Sequence, residues 1–190
     1  MAITQPSLAL LAIIAAGLTN SSEAAGKSYT QSADYLPAML SRVNHERAVQ
    51  GLSPLCSNEK LQAAAQGHAD DMSENDYVMW HTGVNGSTTE ERISNAGYNW
   101  KTVSENVAAG QKDVDAVVDA WMDSEHDEDT ANLLGNFTMF GVAYAYRADS
   151  PYEHYWTLDF ATSGGEACGS TKEDDIEQNM DAVFGEAYSA

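Results

Sequence analysis

FTMFGVAYAY at residues 137–146 and HYWTLDFA at residues 154–161 are the stretches on which the fold turns. The first is nearly all apolar and aromatic, the composition of a central strand covered on both faces. The second alternates with the period of a strand. Tyr155, Thr157 and Asp159 fall on one face, and Trp156, Leu158 and Phe160 on the other. RADSPYE between them reads as a hairpin turn. A third, shorter strand is expected at residues 102–107.

Outward from this hairpin the periodicity becomes helical. Residues 33–50 place Leu36, Met39, Leu40 and Val43 on one stripe, stopped by Gly51 with Pro54 beyond. Residues 58–73 do the same with Leu61, Ala64, Ala65, His68 and Met72. HTGVNGSTT (81–89) is a loop by composition, after which Thr88 or Thr89 caps a short helix at 90–95 that ends at Gly97. Residues 113–124 form a helix with Val114, Val117, Val118 and Trp121 on one side, and Asp113 and Asp115 favour its positive end. The order predicts an α+β fold with helices on both sides of a small antiparallel sheet. The acidic tail, residues 169–190, carries Ile176, Met180, Val183 and Phe184 at helical spacing and reads as a weak amphipathic helix or a flexible segment.

The apolar run SLALLAIIAAGL (7–18) falls short of the roughly 20 residues a membrane-spanning helix needs. With Ser22-Glu23-Ala24 as a small-x-small cleavage site, residues 1–24 read as a signal peptide, although no Lys or Arg precedes the run. A membrane anchor or a buried helix is the alternative. No other segment is apolar enough to cross a bilayer, so stable membrane insertion is not expected. One secreted domain, residues 34–168, would remain. Loss of residues 1–24 removes one acid, Glu23, and no base, so the formal charge goes from −20 to −19, and the pI near 4.2 argues against nucleic acid and anionic lipid surfaces as partners. A monomer is expected. Cys56 and Cys168 form an even pair, which in an exported chain usually becomes a disulfide, two buried free thiols being the alternative. Asn85 and Asn136 open glycosylation sequons.

Standard catalytic signatures are absent: there is no GxSxG elbow, P-loop or GxGxxG. His45-Glu46 meets Val49 where a zinc-protease helix needs its second histidine, and the Asp-rich stretch 123–129 lacks the Gly and distal Glu of a calcium loop. Of the five histidines, His45 falls on a polar helix side, His68 on an apolar stripe as a core histidine, and His154 at a strand start as an edge residue. His81 and His126 instead occupy loops beside regular elements, where binding groups concentrate. Glu105, flanked by Val103 and Val107, is a carboxylate that needs a partner. Two imidazoles and a carboxylate could hold a divalent metal or move a proton.

LSRVNHERAVQGLSPL (40–55), WHTG (80–83), SENVAAG (104–110), WMDSEH (121–126) and the two strand stretches resemble, in this order, the CAP superfamily. That superfamily comprises cysteine-rich secretory proteins, antigen 5 and plant pathogenesis-related class 1 proteins, and the likeness is to its short SCP-like branch. The resemblance spans roughly residues 34–162. It implies an α-β-α sandwich with an open cleft lined by two histidines and two acids. His81 matches the first histidine, Glu105 the glutamate of the (G/S)EN motif, and His126 the second histidine. The usual second-acid position is Ser124 here, with Glu125 as the substitute one residue on. Asn106 is expected to be structural. The resemblance further implies Zn²⁺ or another divalent cation at His81 and His126, and a lipid or sterol ligand against Leu36, Leu40, Val117 or Val118. A non-enzymatic binding protein is the first expectation. The alternatives are a metal-assisted hydrolase with Glu105 as general base, or an effector that meets a host or cell-surface protein.

Overall fold

The computed structural model describes residues 35–77, 80–124 and 127–169. The expected signal peptide, the tail beyond Gly169, and both Glu125 and His126 lie outside the described residues. The elements run α1 Tyr35–Val49, β1 Cys56–Ser57, α2 Glu59–Asn75, α3 Thr89–Asn95, β2 Trp100–Ala109, α4 Val114–Met122, α5 Asp127–Leu133, β3 Met139–Tyr146 and β4 His154–Ser163. Helix starts follow local chemistry. The Asn58 side chain accepts from the Lys60 and Leu61 amides, Thr88 and Glu91 form a capping box, and Asp113 accepts from the Ala116 amide.

The sheet has strand order β1-β3-β4-β2. β3 and β4 form the expected antiparallel hairpin at its centre, β2 lies antiparallel to β4, and β1 adds a short parallel pairing to β3. This is a mixed α+β fold with helices on both faces of the sheet. On one face Phe140, Val142, Tyr144, Trp156, Leu158 and Phe160 pack against α1, α4 and α5. On the other, α2 lies on Ala143, Ala145, Val107 and Tyr155 through Ala65, Ala69 and Met72, while Leu61, Ile93 and Ala161 close the end of that layer. Gly141 sets how close α2 comes, since a Cβ there would stand 2.1 Å from the Gln62 amide nitrogen.

Tyr155, Thr157 and Asp159, one face of HYWTLDFA, are all fully buried because α2 covers them. One reading changes at this level. His154 is not on an edge strand, because β4 lies inside the sheet; its Nδ1 meets the Tyr144 hydroxyl at 2.7 Å. α5 and β1 carry no signal long enough to read, being seven and two residues. Val117 and Val118 are fully buried, and Leu36 and Leu40 pack against the same core.

Cys56 and Cys168 are disulfide-bonded across 112 residues. The chain around Cys168 also lies along β1, with the Gly169 amide donating to the Ser57 carbonyl (2.7 Å) and Asn58 Nδ2 to the Ala167 carbonyl (2.9 Å). Both sequon asparagines are exposed. Among the described residues no helix is long and apolar enough to cross a membrane.

Candidate functional site

Glu105 sits in the middle of β2 on the face that α2 covers, directly opposite Asp159 of β4, which is itself opposite Gly141 of β3. Its side chain is 1% exposed. Such a carboxylate is tolerated only if its oxygens are bonded, and both are. Oε1 takes His81 Nδ1 at 2.9 Å and the Thr89 hydroxyl at 3.1 Å, while Oε2 takes Arg92 Nη2 at 2.6 Å. His68, the core histidine of α2, lies 3.8 Å away. Its Nε2–H donates to the Trp80 carbonyl at 2.9 Å, which leaves the Trp80 indole facing solvent next to His81.

Arg92 organises this region. From α3 it bonds Glu105, the Thr89 hydroxyl (3.1 Å), and the carbonyls of His81 and Ser87 (3.0 Å each), so it ties down both ends of the loop that carries His81. Within the loop the Gly83 amide reaches the Ser87 carbonyl, and the Val84 amide reaches Asp71 of α2. His81 is therefore held in place although its side chain is 54% exposed.

The charges are settled by these contacts. Burial works to raise the Glu105 pKa, but the hydrogen bond from His81 and the Arg92 charge hold it below the ordinary glutamate value. The Glu105 hydrogen bond pushes His81 above the usual imidazole value. Burial lowers His68, which favours its neutral form. Asp159 is fully buried, and neither of its oxygens has a donor among the described residues. Burial first, then the Glu105 charge, raises its pKa well above the ordinary aspartate value. As a carboxylic acid it becomes the donor to Glu105, so the two acids share one negative charge.

A cleft of about 270 Å³ opens over this cluster, lined by His81, Thr89, Glu90, Val103, Glu105 and Glu128 among others. It lies at the free edge of the sheet, between α3 and α5. The floor on the α5 side is fixed by Asn132, which donates to the Glu105 carbonyl (3.3 Å) and to Asn106 Oδ1 (2.8 Å), while Asn106 Nδ2 donates to the Asp129 carbonyl (2.9 Å). Asn106 thus binds strand to helix. Of the sequence-predicted residues, His81 and Glu105 meet here. Arg92, Thr89 and Asp159 were not singled out from sequence. Asp159 carried a signal, an acid on a strand whose neighbours are apolar, whereas Arg92 in TEERISN looks like any surface helix charge. Among the described residues no three His, Cys, Asp or Glu side chains gather as metal ligands.

The layering and sheet order are those of an SCP-like extracellular domain. A crystal structure of an extracellular SCP-domain protein of Bacillus anthracis superposes with TM-score 0.58 at 25% identity, covering 67% of this chain and 40% of that one. An outer surface protein of Borrelia burgdorferi superposes with TM-score 0.62 at 20% identity, covering 70% and 95%. The chain belongs to the CAP, or cysteine-rich secretory protein, family, whose model matches residues 40–160. A Bacillus subtilis protein, YkwD, is 35% identical over 127 residues, which is 66% of this chain and 46% of that protein. The chain therefore spans less than half the length of that relative.

Proposed function

We propose that this extracellular CAP domain is a non-enzymatic binding protein whose cleft takes a divalent cation such as Zn²⁺ at His81, with His126 as the second imidazole. The observation that supports the reading is the Glu105–His81 contact. A buried carboxylate on Nδ1 fixes the ring with Nδ1–H as donor and leaves Nε2 as the basic nitrogen, the arrangement that metal-binding histidines share. Among the described residues Nε2 makes no hydrogen bond, so nothing there competes for it. A bound cation would supply a Lewis-acidic centre beside the Glu105 and Glu128 carboxylates.

Zinc titration by calorimetry tests this. His81→Ala and His126→Ala are each expected to lose most of the wild-type affinity, and equal affinity in all three proteins would sink the site. Metal and proton compete for the same imidazole. Because the Glu105 contact raises the His81 pKa, affinity is expected to start falling above pH about 6.5 as acid is added.

The hydrolase alternative has less support. A general base must reach substrate and attract a proton, whereas both Glu105 oxygens are engaged and its acidity is increased. A lipid or sterol ligand draws its support from the family alone, since this cleft is walled mainly by hydroxyls, carboxylates and amides. An effector role through a cell-surface partner is compatible with the cleft as a docking place.

A further inference from the structure

The outer edge of β2 is closed along part of its length and open at Val103. The Thr138 amide donates to the Ala161 carbonyl and the Gly110 amide to the His154 carbonyl, so odd-numbered residues of β4 turn their backbone to β3 and even-numbered ones to β2. With Ser104 opposite Phe160 and Asn106 opposite Leu158, those β2 residues bond to β4. Val103, Glu105 and Val107 therefore direct their N–H and C=O outward. Two of the outward carbonyls are taken, Glu105 by Asn132 Nδ2 (3.3 Å) and Val107 by Trp121 Nε1 (3.2 Å). The Val103 N–H and C=O have no partner among the described residues, and Val103 lines the cleft. An unpaired strand edge is a template for another extended chain.

The charge around this opening selects the chain. Glu90 and Glu128 are exposed on the cleft walls, and Asp129 contributes to the same negative field at His81. Arg92, the cation within this cluster, is bound to Glu105 and the loop carbonyls. A second copy of a chain with formal charge −20 is repelled, and so is the chain's own acidic tail. We propose that the cleft docks an extended basic peptide, which adds to the β2 edge at Val103 and sets a lysine or arginine between Glu90 and Glu128. This takes the cleft as the binding place but does not depend on a metal in it.

The probe is a fluorescent acetyl-Lys-Val-Lys-Val-Lys amide, followed by anisotropy at low salt with EDTA and compared with three relatives. One has Glu for each Lys; the other two carry N-methyl groups on the valine or on the lysine nitrogens. The lysine peptide is expected to bind and the glutamate peptide not. One of the two methylated forms should lose about tenfold in affinity, because only one set of amides faces the edge. The Glu90→Gln/Glu128→Gln variant should bind the lysine peptide more weakly, and the Val103 amide should exchange more slowly in the complex. Equal affinity of both methylated forms and the parent, or unchanged Val103 exchange, would overturn the proposal. Zinc titration of the same material separates the two readings. Zinc binding without peptide binding removes this inference alone, whereas peptide binding without zinc supports it and removes the metal.

Discussion

At Asp159 two forces act in the same direction: burial between α2 and the sheet, and the negative charge of Glu105 across the strand pair. A carboxyl whose folded pKa lies above its unfolded value binds its proton more tightly in the native state. It therefore stabilises the fold below pH about 4, and that contribution is lost as pH rises toward the folded pKa. Asp159→Asn keeps the shape and a donor toward Glu105 without the proton. Urea unfolding is expected to show the variant gaining on the wild type between pH 4.5 and pH 8; a gap independent of pH would refute the shared proton. Arg92 supplies the opposite case. Its side chain is 10% exposed beside a Glu105 that is 1% exposed, and Arg92→Ala leaves that carboxylate buried without its cation, at a cost of about 3–5 kcal/mol. Adding Glu105→Gln to Arg92→Ala should recover part of the loss, which denaturant midpoints would show.

Among the elements, α2 is held closest to the sheet, and Gly141 is what permits it. Gly141→Ala drives a methyl into the backbone of Leu61 and Gln62, and overpacking of this kind costs about 1–3 kcal/mol or more. Thermal unfolding should show a lowered midpoint, and near-wild-type stability would mean that α2 can lift. The helices were legible in the sequence because their apolar stripes and caps are local, as with Leu61 to Met72 behind Asn58 and with Thr88 before α3. The β3–β4 hairpin was legible for the same reason. β1 and α5 were not, since two and seven residues are too few for a period to declare itself. The site was half legible. His81 and Glu105 stood in family motifs, but Arg92 and Asp159 owe their roles to a carboxylate met only after α3 and β4 fold onto β2. No periodicity records a contact of that kind.

For the whole molecule the disulfide is the long-range covalent restraint, joining β1 to the chain beyond β4 across 112 residues. Opening a loop of that length with Cys168→Ser is expected to cost about 5 kcal/mol in the chain-entropy view, which urea unfolding with and without reductant would measure. A loss below about 1 kcal/mol would mean that the backbone bonds at Ser57 and Asn58 already fix the terminus. The strand order β1-β3-β4-β2 bears on how such a protein is made. The two middle strands are the last to be synthesised, while α1, α2, α3 and β2 emerge with nothing beneath them to pack on. Local turns can flicker in that early portion, but its apolar stripes have no floor until β4 leaves the ribosome. A nascent chain is thus kept slack by its own topology, and it closes into a packed body only once both middle strands are in place.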